Sequence, residues 1–307
     1  MTPKYDVLVA GEINPDLILT GDVEPAFGQV EKLVDSAVLA VGSSSAIFSC
    51  GAARLGLRTA FIGKCGDDLF GHYMLDEMQK RGVDTGNVIV LPGQDTGMCV
   101  ILNRVVDRAI MTYLGLIPAL RAEEVSDELL KQARHLHVAS YFLQTALQPG
   151  LPDLFKRTHL LGLTTSLDTN YDPSEAWVGF DELLGVTDIF LPNEAEACSL
   201  TGVGTPDAAA TRLSERVKIL AVKLGAQGAL GVAGGKKVRV ASIPVEVVDS
   251  VGAGDSFDAG FIYGHLQGWP LERTLRAAAI CGALSTRAAG GIAAQAELGE
   301  VLPYLDR

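Results

Sequence analysis

The stretch "VDSVGAGDSFDAGF", Val248–Phe261, decides how this chain is read. Three small residues, Gly252, Ala253 and Gly254, run into Asp255, and a helix-like run, Ser256–Leu266, follows. The first amides of a helix have no intrahelical acceptor, and the helix dipole adds roughly half a positive charge there. Glycine allows tight backbone angles and lets a ligand come close to the chain. The segment therefore suits an anion such as a phosphate. A carboxylate at the same point has two readings. Asp255 is either a helix N-cap that accepts a bond from an amide two or three residues on, or a base. As a base it would take a proton from a hydroxyl while adjacent amides stabilise the phosphoryl group that the hydroxyl attacks.

Outward from this turn, apolar runs alternate with helical patterns. "YDVLVAGEI", "TAFIGKCG", "HLHVAS", "TTSLDTN", "VTDIFLPN" and "VKILAVKLG" read as strands. Helices are expected over 44–55, 69–81, 123–133, 151–160, 194–200, 207–216, 256–266 and 271–287, with no strand after the last. Near-continuous apolar strands separated by helices indicate a parallel sheet covered on both faces. Two segments break the alternation. Residues 17–39 are strand-like but carry Gly21, Pro25 and Gly28, and 96–114 reads as a hairpin with its turn near Val106-Asp107. Together they suggest a small inserted β layer. One reading is a lid over a site at the carboxyl edge of the sheet; the other is a purely structural or dimer-forming flap. An isolated flap exposes strand edges and an apolar face, so a lid-to-lid homodimer is a candidate assembly.

The 307 residues carry a formal net charge of -12, with 48% hydrophobic and 20% charged residues. That profile is of a globular protein with a large core. The negative charge offers no basic field for nucleic acid or an anionic membrane. No apolar run reaches the ~18 residues of a membrane span, and the start of the chain lacks a signal-peptide pattern. The five cysteines are scattered and never form CxxC; free thiols and a reducing, cytoplasmic setting are expected. His135 and His137 share a strand face, but with no third ligand nearby they are read as packing residues.

Taken in order, further segments carry a resemblance: "GEINPDLIL", "VGSSSAIFSCGAARLGLRTAFIGKCGDDLFG", "GVDTGNV", "LPNEAEACSLTG", "VKLGAQGAL" and then "VDSVGAGDSFDAGF". The chain resembles the ribokinase-like (PfkB) carbohydrate kinases over nearly its whole length. The resemblance implies one α/β domain over 1–307, a three-layer αβα sandwich with a mostly parallel central sheet. A small β-sheet lid would form from about 12–41 and 95–115. It implies ATP-dependent phosphorylation of a hydroxymethyl group, with Asp255 as catalytic base and Gly252, Ala253 and Gly254 as anion hole. Asn14 and Asp16, with Gly42 and Ser43, would hold the sugar. Asn193 and Glu196 would organise the ATP phosphates and water-bound Mg2+, and Lys223, Gly225 and Gly228 would lie along the nucleotide. Asp249 would help bind a monovalent cation such as K+, and Arg287–Gly291 would frame that cation and the adenine side.

Where the pattern departs, the substrate is open. Ala46 stands near an expected Asn and has no hydrogen-bonding group, and "HVASYFLQ" offers no acid to grip a ribose. Thr169 and Asp172 replace a Pro and an Arg common in "D-P-N-x-R" segments, which disfavours a keto-acid sugar unless Arg104 or Arg108 on the lid restores a positive charge. Tyr113, Tyr141 and Phe142 are either core residues or stacking groups for a nucleoside. Structural alternatives stand beside these roles: Asp16 as a turn former, Glu196 as a solvated helix residue, Lys223 as a solvated strand end, Asp67 and Asp68 as turn and cap. Two rival functions differ in class. A sugar or nucleotide sensor would bind ATP without turnover. A nicotinamide-dependent dehydrogenase would need G-x-G-x-x-G after the first strand, where "GEINPD" stands instead.

Overall fold

The four residues of the first strand, Val7–Ala10, are all buried, and their side chains alternate between two cores. Val7 and Val9 pack on one side of the sheet with the helices Ser44–Arg54, Ala253–Leu266 and Leu271–Ser285. Leu8 and Ala10 pack on the other with Leu151–Leu160 and Pro206–Leu213. In this computed structural model, which describes residues 3–104 and 108–305, the central sheet has eight strands. Their order is Lys236–Val240, Ala229–Ala233, Ile219–Lys223, Ile189–Phe190, Thr164–Leu167, His135–Val138, Val7–Ala10 and Thr59–Ile62. Pairings from Ile219–Lys223 to Thr59–Ile62 are parallel, and the last two strands at the opposite edge are antiparallel. The expected αβα layering with a mostly parallel sheet is what the chain adopts.

A separate four-stranded sheet is ordered Ser36–Val41, Pro15–Thr20, Met98–Asn103, Arg108–Tyr113. The segment read as one strand-like stretch, 17–39, is two antiparallel strands, because Gly21 turns the chain at φ +113°. The second hairpin pairs Met98 with Tyr113 and Asn103 with Arg108; its expected turn at Val106-Asp107 lies outside the described residues. Register places Asp16, Ile18, Cys99 and Ile101 on one face, and Ile18 and Ile101 bury against Val251, next to Gly252. The second sheet thus docks beside the glycine turn.

Two elements differ from expectation. The helix expected over 123–133 is a 3-10 turn, Ala122–Glu124, and a short helix, Asp127–Leu130; Ser126 restarts the chain by capping the Leu129 amide at 3.2 Å. A last helix, Leu298–Leu305, tolerates an internal Pro303 that reads as a breaker in sequence. The two strand histidines are packing residues: His135 pairs with the hydroxyls of Thr164 and Ser166, and His137 with Ser166, each at 2.7 Å. No helix among the described residues is long and apolar enough to cross a membrane.

Candidate active site

The expected site residues follow the carboxyl ends of adjacent parallel strands, where open α/β folds build their sites. After Val7–Ala10 come Glu12, Asn14 and Asp16. Asp16 is buried beside Asn14, whose amide donates to Asp16 Oδ1 at 3.3 Å. A side chain at Gly42 would put Cβ 2.1 Å from Asp16 Oδ1, so glycine is what lets the carboxyl lie there. Burial pushes the Asp16 carboxyl up to about 7, against the pull of Arg108. Arg104 is not brought to this point: it is half exposed and pairs with Glu24 at 3.0 Å. Arg108 is the lid cation whose charge reaches Asp16.

Sequence reasoning passed over Glu12. Its buried carboxylate accepts from Ser43 Oγ at 3.0 Å, from the Ser45 amide at 3.2 Å and hydroxyl at 2.5 Å, and from Ser140 Oγ at 2.9 Å. Ser43 also caps the helix Ser44–Arg54 through the Ala46 amide at 3.0 Å. The available signal was a charged residue two positions after a fully apolar strand, facing the serine run 43–45 in the next motif.

Gly252 opens the helix Ala253–Leu266 from the left-handed region, φ +72°. A Cβ there would meet the Gly291 Cα at 2.7 Å and Ile47 at 2.9 Å. The Ala253 amide bonds to the Ser250 carbonyl at 3.3 Å, while Gly254 and Asp255 offer first-turn amides to a ligand. Asp255 is buried at this helix end. Burial and the nearby Asp168 carboxylate push it up to about 8, opposed by Lys223 and by a hydrogen bond from Ser44.

Under Asp255 lies a cluster that the sequence did not reveal. Asp168, Asp255 and Asp258 converge within 4.8 Å. Lys223 Nζ is set among them, 2.7 Å from Asp168 and 3.2 Å from Asp258. The lysine is an internal counter-ion as well as a lining residue of the adjacent cleft, so it does not project into solvent. Burial works against its charge, but Asp168, Asp258 and Glu196 outweigh that and hold the ammonium above its usual range. Burial likewise opposes the charge on Asp168, yet Lys223 brings its carboxyl below the ordinary value. Burial leaves Asp258 well above it.

Beyond Lys223 is a cleft of about 560 Å³. Gly225, Gly228 and Gly254 line it, with Ile243, Val245 and Phe257 as apolar wall. Glu196 and Asn193 form a reciprocal capping box on the helix Glu194–Thr201: the Glu196 carboxylate accepts from the Asn193 amide at 2.8 Å and from its side chain at 2.5 Å. Burial and Asp168 push Glu196 up to about 7. Asp249 bridges two backbone segments, accepting from Val251 N at 3.0 Å and Gly290 N at 2.9 Å. That ties the 286–291 loop to the glycine turn.

The remaining candidates make contacts within the chain. Tyr141 and Phe142 pack edge-on in an aromatic cluster with Phe180 and Trp177, and Tyr113 bonds to Asp95 on the exposed lid. Asp172 closes a turn through the Trp177 amide at 2.7 Å, and Asp68 caps the helix Leu69–Lys80.

The sequence pattern of the pfkB family carbohydrate kinases matches residues 4–297. The chain belongs to the pfkB family. It is therefore a sugar kinase. The 2-dehydro-3-deoxygluconokinase of Bacillus subtilis is 31% identical over 259 residues, 79% of each chain. Among solved structures, the Arabidopsis thaliana ribokinase complexed with ribose and ATP superposes with a TM-score of 0.87 at 25% identity, covering 100% of both chains. "Ribokinase II in complex with ATP and Mg+2 from E.coli" gives 0.86 at 27% identity, covering 99% of both. The pfkB relatives thus span nearly the whole chain, both sheets included.

Proposed function

We propose that this kinase transfers the γ-phosphoryl group of ATP to a hydroxymethyl group of a small carbohydrate, with Asp255 as the base. One observation carries the reading. A buried carboxyl stands in the first turn of a helix that Gly252 opens from the left-handed region, so proton acceptor and anion hole are one structure.

In this reading the acceptor is held by Asn14 and Asp16 against Gly42 and Ser43. Asp255 binds the attacking hydroxyl and takes its proton as the oxygen forms its bond to the γ-phosphorus and the bond from that phosphorus to the β-phosphate oxygen breaks, leaving ADP. The Gly252–Gly254 turn and the helix dipole offset the charge that grows on the phosphoryl oxygens. Lys223 keeps a fixed positive charge behind that turn. Gly225 and Gly228 allow the nucleotide to lie along the cleft. Glu196 supplies hard carboxylate oxygens of the kind Mg2+ prefers, reached through bound water; the Asp168–Asp258 pair already has Lys223 as its cation. Mg2+, when bound, neutralises phosphate charge. Asp249 holds the loop beside which a monovalent cation such as K+ would sit. The second sheet acts as a lid, since its Asp16 face meets Val251, and closing it would exclude water that otherwise hydrolyses ATP. Its other face carries Leu17, Leu39, Val100 and Met111, which fits a lid-to-lid homodimer.

ADP release from Mg-ATP, measured across pentoses, hexoses, sugar acids, polyols and nucleosides with and without K+, tests the proposal. Acceptor-dependent release with a carbohydrate is expected. Nucleotide binding with no release on any acceptor would make the chain a sensor on a kinase scaffold.

A further inference from the structure

The buried Glu12 carboxylate is held by donors from two other segments of the chain. Its Oε1 accepts from Ser43 Oγ at 3.0 Å, the Ser45 amide at 3.2 Å and Ser140 Oγ at 2.9 Å. Its Oε2 accepts from Ser45 Oγ at 2.5 Å. An ionised carboxylate has about four acceptor positions, and these four donors occupy them. Glu12 therefore acts through the residues it holds and not as a ligand for substrate or cation.

Two of those residues have backbone that serine seldom adopts: φ is +64° at Ser43 and +51° at Ser140. Such angles persist where the surroundings over-determine them, and each serine is bonded on two sides. Ser43 Oγ accepts from the Ala46 amide at 3.0 Å and shares its one proton between the Glu12 carbonyl at 2.7 Å and the carboxylate. Ser140 Oγ donates to Glu12 and accepts from Asn170 Nδ2 at 2.9 Å. The third serine sits where a side chain is missing: a Cβ on Gly11 would lie 2.0 Å from Ser45 Oγ. Glu12 thus ties the start of the helix Ser44–Arg54 to the ends of the strands Val7–Ala10 and His135–Val138.

Gly42 directly precedes Ser43. The Asp16 carboxyl fills the space that a side chain on Gly42 would need, and the Asn14 carbonyl is 2.8 Å from the same point. Moving Ser43 moves the surface on which Asp16 lies. We propose that Glu12 is a positioning residue for the acceptor: through Ser43, Ser45 and Ser140 it holds the Gly42–Ser43 segment against Asn14 and Asp16. This rests on the reading that Asn14 and Asp16 bind the acceptor. Ser43 then gives the pocket its shape, since its proton is already committed to Glu12.

Besides burial, the negative charge of Glu12 disfavours the charged forms of Asp16 and Asp255, so the test must separate position from charge. Glu12→Gln keeps the length and loses the charge. Its carbonyl oxygen can serve the Oε1 donors, and the Ser45 hydroxyl can turn to accept from the new amide. Glu12→Asp keeps the charge, but one methylene less draws the oxygens back by about 1.5 Å, out of hydrogen-bond reach of the serines.

The experiment is steady-state kinetics of wild type, Glu12→Gln, Glu12→Asp, Ser140→Ala and Asp16→Ala, with the melting temperature of each. The acceptor is the carbohydrate that gives wild type its highest kcat/KM in the ADP-release panel, and KM is measured for it and for Mg-ATP. Glu12→Asp should lose on the order of 10²-fold in kcat/KM for the acceptor, the cost of misplacing a binding surface. Glu12→Gln should lose about tenfold or less, the worth of one hydrogen bond. Ser140→Ala removes one donor without altering charge and, should Glu12→Asp fold poorly, carries the test alone; it should raise the acceptor KM by about two- to tenfold. The KM for Mg-ATP should stay at its wild-type value throughout. Better activity in Glu12→Asp than in Glu12→Gln would overturn the proposal in favour of charge. Equal rises in both KM values, or lowered melting temperatures with unchanged acceptor kinetics, would overturn it in favour of a purely structural role. A wild-type acceptor KM in Asp16→Ala would instead remove the reading on which it rests.

Discussion

Burial of Asp255 favours its neutral form, so the folded chain holds a proton there up to about pH 8. The unfolded chain releases it near the ordinary aspartate value of about 3.9. Between those two values the folded state binds more protons, so this group's contribution to stability falls as pH rises. Asp255→Asn cannot ionise and escapes that loss. At pH 8 it should be more stable than wild type by at least about 1 kcal/mol, roughly 2 °C in melting temperature, with the gain shrinking toward pH 5. Thermal unfolding at the two pH values checks this, and an equal difference at both would contradict it. Residues of this kind were legible in part. Asp255, Asp16 and Glu196 stand in motifs that can be read off the sequence. Asp258 is three positions after Asp255 and shares its helix face, but Asp168, Glu12 and Asn170 join the site only through strands distant in sequence. Sequence also leaves the direction of Lys223 open, because solvent and a buried acid pair are equally consistent with a lysine at a strand end.

The helix Ala253–Leu266 owes its anion-binding end to Gly252. Replacement by alanine would force a side chain onto the Gly291 backbone at 2.7 Å and hold φ at +72°. Gly252→Ala should cost about 1–3 kcal/mol in stability and at least tenfold in turnover, about what a small misplacement of reacting groups costs. Denaturant unfolding beside steady-state kinetics would show both, and a fully active, fully stable variant would refute the role. Elements with long periodic patterns were visible in sequence because one face of each meets a core. The 123–133 segment was not, since a single capping serine divides it. The Leu298–Leu305 helix was hidden by its proline, although tertiary packing of Val301 and Leu305 holds it in place.

Across the whole molecule, the parallel sheet brings the candidate site residues to one edge, and the second sheet packs against Val251 beside the glycine turn. Alternating strands and helices were enough to predict the mostly parallel sheet with its helices, and the two segments that break the alternation pointed to the small separate sheet. The two antiparallel edge strands, Ala229–Ala233 and Lys236–Val240, were not foreseen; a tight Gly234-Gly235 turn with both glycines at positive φ joins them. On the lid, Met111 is 52% exposed on the apolar face turned away from the site. If that face joins two copies, Met111→Lys should convert a dimer to a monomer in sedimentation velocity, because a strongly hydrated charge would be placed at a dry contact. A wild-type protein that sediments as a monomer would contradict this assembly.

The most direct test of the account is the turnover of Asp255→Asn with saturating Mg-ATP and the acceptor that wild type uses, beside a nucleotide-binding titration of the same variant. The account predicts that kcat falls by at least ~10²-fold, as removal of a general base does, while nucleotide still binds. Turnover near that of wild type would contradict it.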